Sequence, residues 1–235
     1  MRFKKHTKVI RGEKMVVTDE YTEKLENVIK QMLKPIKGIP FSIIIESISG
    51  HKVIRFDNGD ANHNDILVKL IEVAKRTCMI VNNEGIKRPR PNEVGNDIEQ
   101  YVVDSLHFYK ISAHKPITKS GKQQSVGYPD IEITTSQNHK HYIECKIFSE
   151  KTKNTSMRSF YLSPSEDFKV NHDAIHFIMG FEVYVDSRSG SDNVYKTNGW
   201  KILDAYQLEC DVKHEFNSNN ARLYKASMVL AQGNV

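Results

Sequence analysis

Val126-Gly127-Tyr128-Pro129-Asp130-Ile131-Glu132-Ile133 and His141-Tyr142-Ile143-Glu144-Cys145-Lys146-Ile147-Phe148 are the two stretches on which the reading of this chain turns. Both are short runs rich in β-branched and aromatic residues, the composition of strands. The 13 residues between Asp130 and Glu144 suit a hairpin. Glu144 and Lys146 are two apart, so in a strand they share a face, while Ile143, Cys145, Ile147 and Phe148 surround them with apolar surface. Buried charge is costly unless it is paired or holds a metal. Two carboxylates and a lysine, brought together by neighbouring strands, suit metal-assisted cleavage of a phosphodiester. The carboxylates supply oxygen ligands to a hard cation such as Mg²⁺, the cation acidifies water and offsets phosphate charge, and the lysine orients that water or stabilises the developing charge. The same pattern also fits an amphipathic edge strand whose Glu and Lys face solvent.

Composition narrows the classes. At 235 residues the chain can form one well-packed domain with a small appended part. Hydrophobic residues make up 39% and charged residues 27%, the balance of a globular protein. No apolar run reaches the roughly 18 residues of a membrane span, so no membrane association is expected. The basic start Met1-Arg2-Phe3-Lys4-Lys5 is not followed by an apolar core, so it does not read as a secretory signal. Cys78, Cys145 and Cys210 are odd in number and far apart. That predicts reduced thiols and a cytoplasmic protein, not a disulfide framework or a Cys-rich zinc site. A net charge of +5 is compatible with a nucleic-acid partner and with an ordinary solvated surface alike.

Working outward from the hairpin, helical spacing predicts a helix from Thr18 or Asp19 to about Lys34, another from about Asn64 to Val81, and a third capped by Asn92 and running to Phe108. The run Ile43-Ile44-Ile45 predicts a strand from Phe41 to Ile48, with a second short strand from Lys52 to Phe56. Lys87-Arg88-Pro89-Arg90-Pro91 reads as a rigid basic linker. Lys110 to Gly127 and Lys151 to Arg158 read as exposed basic loops. Strands are expected at Phe160 to Leu162, Ala174 to Val185 and Trp200 to Ala205, and a last apolar stretch at Leu223 to Leu230. This order predicts an α/β fold with a mixed sheet. We expect one domain over residues 1–235, with 91–235 as the core and 1–90 as an N-terminal part of uncertain role.

Pro129-Asp130, a gap, and then Glu144-Cys145-Lys146 resemble the PD-(D/E)xK nuclease superfamily, which includes most type II restriction endonucleases. The resemblance covers about Asn92 to Lys146 and extends softly to Asn220. It implies a restriction-endonuclease-like core, a mixed central sheet flanked by helices. It also implies Mg²⁺-dependent, sequence-specific hydrolysis of double-stranded DNA, with Mn²⁺ able to substitute, and a homodimer matching a palindromic duplex. Asp130, Glu144 and the backbone carbonyl of Cys145 would bind metal, and Lys146 would position or activate water. In the superfamily the helix before the Asp strand often adds an acidic residue. In Gly95-Asn96-Asp97-Ile98-Glu99 that residue is Glu99, which borders the apolar stripe. Glu93 is the alternative, although a carboxylate at a helix start is also explained by the helix dipole, and Glu99 also reads as a surface residue. Glu132 shares a face with Asp130 and is either a further ligand or an edge residue.

Lys122, Lys153, Asn154 and Arg158 lie in the loops flanking the hairpin. Lysine and arginine neutralise phosphates, and asparagine and arginine read base edges. Asn217 and Asn219 fall in Glu215-Phe216-Asn217-Ser218-Asn219-Asn220, a segment similar to C-terminal segments of predicted restriction endonucleases. For each of these residues a solvated loop is the plain alternative. Thr118-Lys119-Ser120-Gly121-Lys122 lacks the upstream glycine of a phosphate loop, and His172 and His176 lack the glutamate of a zinc protease helix. Two other functions remain open at this level: a structure-specific nuclease of the same superfamily, and a catalytically silent DNA-binding protein on the same fold.

Overall fold

Alternating periodicities of 3.6 and 2 give helices and strands in turn. We describe them from a computed structural model that covers residues 7–10, 13–16, 19–34, 36–124, 127–156, 159–214 and 217–232. In chain order the elements are β1 (Thr7–Ile10), β2 (Glu13–Val16), α1 (Asp19–Met32), β3 (Ile36–Pro40), α2 (Phe41–Ser49), α3 (Ala61–Glu84), β4 (Ile86–Arg88), α4 (Val94–Phe108), β5 (Ser112–His114), β6 (Ile131–Thr134), β7 (Lys140–Phe148), β8 (His176–Ser189), β9 (Asp192–Asp204), β10 (Glu209–Val212) and α5 (Asn220–Leu223). Two compact units emerge: Met1–Gly38 with Cys210–Val235, and Ile39–Glu209. In the first, β1 pairs antiparallel with β2, and the Gly38 amide donates to Asp211 Oδ1 at 3.0 Å. No helix among the described residues is long and apolar enough to cross a membrane.

The second unit holds a six-stranded sheet in the order β4-β9-β8-β7-β6-β5, in which β7 and β8 run parallel and every other pair antiparallel. Strand alternation sends successive side chains to opposite faces. One face carries Ile133, Ile143, Phe177 and Phe181 into a core with Leu70 and Val81 of α3 and Val102 and Leu106 of α4. The other face carries Tyr142 and His176, against which α2 sets Phe41, edge-on to His176 at 5.7 Å and to Tyr128 at 5.2 Å. This is the mixed sheet flanked by helices that the resemblance implied. Elements α2, α3 and β4, all before residue 91, pack in the same unit as the hairpin.

Several local expectations need correction. The Phe41 to Ile48 segment is helix α2, not a strand. Phe41 and Ile45 are four apart and both buried while Ile43 is exposed, and Gly50, at φ 75°, closes the helix by donating to the Glu46 carbonyl. One-sided burial at helical spacing outweighs the β preference of three isoleucines. The segment from Lys52 to Phe56 makes only a single bridge, Val53 to Ala174, and Phe160 to Leu162 joins no ladder. The stretch from Lys110 to Gly127 is not wholly an exposed loop, since it contributes edge strand β5 and buries Thr118. Asp60 caps α3, accepting from the amides of Asn62 and His63, so that helix starts at Ala61. Asn92 does not cap α4, which opens from a 3₁₀ turn over Pro91–Glu93.

Candidate active site

Register builds the site. Strands β6 and β7 are paired with Ile131 opposite Ile143 at the end of their antiparallel ladder, and Asp130 immediately precedes β6 as Glu144 follows Ile143. The Cys145 amide donates to Asp130 Oδ2 at 2.8 Å, which fixes that carboxylate against the strand. Alternation along β7 puts Tyr142, Glu144 and Lys146 on one face, and Lys146 Nζ donates to Glu144 Oε1 at 2.5 Å. Glu144 is only 4% exposed, and its Oε2 is buried with no hydrogen-bond partner. Burial first and the Asp130 charge second push the Glu144 carboxyl up to about 7, against the pull of Lys146. The edge-strand alternative does not describe this pair, because Glu144 does not face solvent.

Glu99 approaches the same cluster from α4. Burial raises its carboxyl, the negative charge of Asp130 raises it further, and Lys115, Lys169 and Lys146 oppose the rise. Glu93 lies at the start of α4, where its charge acts on Arg88. Of the two glutamates, Glu99 is therefore the one placed in the field of Asp130. Glu132 is engaged elsewhere, 2.8 Å from Lys140 and 3.9 Å from His114. His172 accepts from Lys140, and His176 sits in β8 under Tyr128.

Lys169 is the site residue that sequence reasoning missed. It is 4% exposed, and its Nζ donates to the carbonyls of Gly127 at 2.6 Å and Pro129 at 3.1 Å. Burial lowers the pKa of its ammonium, while the charges of Asp130, Glu144 and Glu99 act to raise it. Between these two carbonyls, the Tyr128 hydroxyl is hydrogen-bonded to His176 Nδ1 at 2.6 Å. Burial holds His176 neutral, with its pKa pushed down to about 3. Nothing local marks Lys169, which sits between Phe168 and Val170 and meets the hairpin only through the fold.

Among the described residues, no three His, Cys, Asp or Glu side chains gather tightly enough to hold a cation unaided. The donor set still suits a hard divalent ion. Glu144 has a buried oxygen without a hydrogen-bond partner, and the Asp130 carboxylate lies close enough to raise the Glu144 carboxyl, a pair of acidic oxygen donors that a cation would relieve of their mutual repulsion. Mg²⁺ typically takes one or two carboxylates and completes its shell with water and substrate phosphate.

The described residues of the flanking loops are held by their own contacts. Thr118 and Lys122 close their loop on each other, and Ser120 ties it to Asp167 through two 2.8 Å hydrogen bonds. Lys153 pairs with Glu150 at 2.7 Å beside the exposed Asn154. Arg158 lies outside the described residues. Asn217 and Asn219 belong to the first unit, where Asn219 Oδ1 accepts from the Arg222 amide at 2.9 Å and so caps α5.

The model of the type II restriction enzyme MjaV family matches residues 35–227. This chain belongs to that family. The type II restriction enzyme MjaV of Methanocaldococcus jannaschii is 39% identical to it over 225 residues, covering 89% of this chain and 95% of the relative. The span matched by the restriction enzyme family contains Glu99, Asp130, Glu144, Lys146 and Lys169.

Proposed function

We propose that this type II restriction enzyme cleaves double-stranded DNA at a specific sequence by Mg²⁺-dependent hydrolysis, with Mn²⁺ able to substitute, as a cytoplasmic homodimer. Family membership supports the substrate and the reaction class. The catalytic assignment is carried by one observation: at the end of the β6–β7 ladder the Cys145 amide holds Asp130 while its neighbours Glu144 and Lys146 pair with each other.

Asp130 and Glu144 hold the cation, with the Cys145 backbone carbonyl as a further oxygen. When bound, the ion supplies a hard Lewis acid beside the scissile phosphate. Lys146 keeps its ammonium at this point through Glu144 Oε1, and its remaining N–H groups are donors to the attacking water or to a phosphate oxygen gaining charge. Glu99 adds negative charge at the rim of the pair. Lys122 and Lys153 contact phosphates, Arg158 and Asn154 read bases from the loop after β7, and Asn217 and Asn219 contribute from the C-terminal segment. Two copies related by a two-fold axis would cut both strands of a palindromic site.

Digestion of plasmid DNA with Mg²⁺, Mn²⁺ or excess chelator, using wild type and Asp130→Asn, tests this reading. Discrete fragments are expected with either cation and none in chelator, with Asp130→Asn slower by at least about 10²-fold. Full cleavage in chelator, or by Asp130→Asn, would refute the metal-site assignment.

A further inference from the structure

We propose that Lys169 is a positioning residue for cleavage: by tying the carbonyls of Gly127 and Pro129 it presents Asp130 to Glu144. The proposal rests on the reading of Asp130 and Glu144 as the metal-holding pair. A lysine is costly to bury, and an apolar side chain could fill the same space without that cost. This one places two of its three donors on the two carbonyls that flank Tyr128, immediately before Asp130. The third fixed point of the segment is the Tyr128 hydroxyl on His176 of β8, so Tyr128 is held from the sheet while Gly127 and Pro129 are held by Lys169 from the connection that leads into β8. The Cys145 amide then receives Asp130 Oδ2 from the other side. At 4% exposure Lys169 is too enclosed to touch DNA, so it acts through Asp130.

Lys169 has a second property that makes the test decisive. Its charge lies in the field of Asp130, Glu144 and Glu99. A lysine acting only as a charge repels a metal ion, so its removal would tighten metal binding. A lysine acting by position has the opposite sign, because loosening Asp130 weakens the pair that holds the ion. Partners that orient metal ligands typically contribute 10- to 100-fold in affinity or rate.

Lys169→Met and Lys169→Gln are compared with wild type and Asp130→Asn in three measurements. These are the single-turnover cleavage rate, duplex affinity in Ca²⁺, and Mn²⁺ affinity of the DNA-free protein by electron paramagnetic resonance. Lys169→Met is expected to cut about 10- to 100-fold more slowly and to bind Mn²⁺ about tenfold more weakly, with duplex affinity retained. Lys169→Gln, whose amide keeps a donor for one carbonyl, should recover part of both losses. A wild-type rate for Lys169→Met, or unchanged or tighter Mn²⁺ binding, overturns the proposal while inactive Asp130→Asn leaves the metal-site reading standing. If Asp130→Asn cleaves, that reading itself falls. Should Lys169→Met fail to fold, Lys169→Gln decides: slower cleavage with weaker Mn²⁺ binding upholds the proposal, and wild-type values overturn it.

Discussion

In the metal-free protein, Glu144→Gln should raise stability at pH 8, although it removes a charged residue from an ion pair. Glu144 is 4% exposed, with one oxygen unpartnered, and its carboxyl is raised from the ordinary 4.5 to about 7 by burial and by Asp130. Between those two values the folded chain holds a proton that the unfolded chain has released. Wild-type stability therefore falls as pH rises through this window and stays low above it. At about 1.4 kcal/mol per pH unit, the displacement corresponds to roughly 3 kcal/mol. Glutamine stays neutral throughout and escapes this loss. The lost pair with Lys146 is already contained in that figure, because Lys146 opposes the rise that leaves the carboxyl at about 7. The expected gain is on the order of 3 kcal/mol at pH 8, shrinking toward zero near pH 4.5. Urea unfolding of both proteins in chelator from pH 4.5 to 8 measures the difference, in which the depressed His141 and His176 largely cancel because both chains carry them. Adding Mg²⁺ at pH 8 should then stabilise wild type far more than the variant, because only the native wild-type site retains both carboxylates. A Glu144→Gln protein less stable than wild type at pH 8, or a difference that does not change with pH, refutes the argument.

Three further outcomes follow from the site and its flanking loops. Lys146→Ala should lose about 10²–10³ in single-turnover cleavage while binding duplex in Ca²⁺ like wild type, as measured by rapid quench and by fluorescence anisotropy. Lys122→Ala should weaken duplex binding and flatten the log–log salt dependence by about 0.9 for the phosphate it releases. Lys153→Ala should do less, because Lys153 already shares its charge with Glu150 at 2.7 Å.

The parts of this fold legible in the sequence are those fixed within a dozen or so residues. The Asp130, Glu144 and Lys146 arrangement needs only a period of two and a short connection, both visible in the chain, and the ladder follows them. Helices α3 and α4 follow from apolar spacing, with α3 longer than expected by three residues at each end and α4 starting two residues beyond the expected cap Asn92. Helix α2 was illegible because its Ile43-Ile44-Ile45 run has the composition of a strand. What selects a helix there is that Phe41 and Ile45 alone find a buried surface, formed by Tyr128, Phe160 and His176 from far along the chain. Spacing placed Glu99 at the border of the stripe, but its approach to Asp130 depends on how α4 lies across the sheet.

The connection between β7 and β8 shows why Lys169 escaped notice. Antiparallel neighbours can be joined by a tight turn, as β6 and β7 are, whereas a parallel pair needs a long crossover. The chain must leave the end of β7 at Phe148 and travel back to start β8 at His176 beside Tyr142. That return carries no helix or strand among its described residues, so its course is held by individual polar ties. Asp167 takes the Ser120 amide and hydroxyl, Lys169 takes the carbonyls of Gly127 and Pro129, and Asn171 takes the carbonyl of Ile117 at 2.6 Å. These three residues alternate along one short stretch, and they secure in turn the basic loop, the approach to Asp130 and the base of the loop again. The topological requirement for a crossover thus supplies the brace for the site. A segment with no periodicity of its own holds the loop carrying Lys122 and the approach to Asp130 on the same strip of backbone, through Asp167 and Lys169, two residues apart.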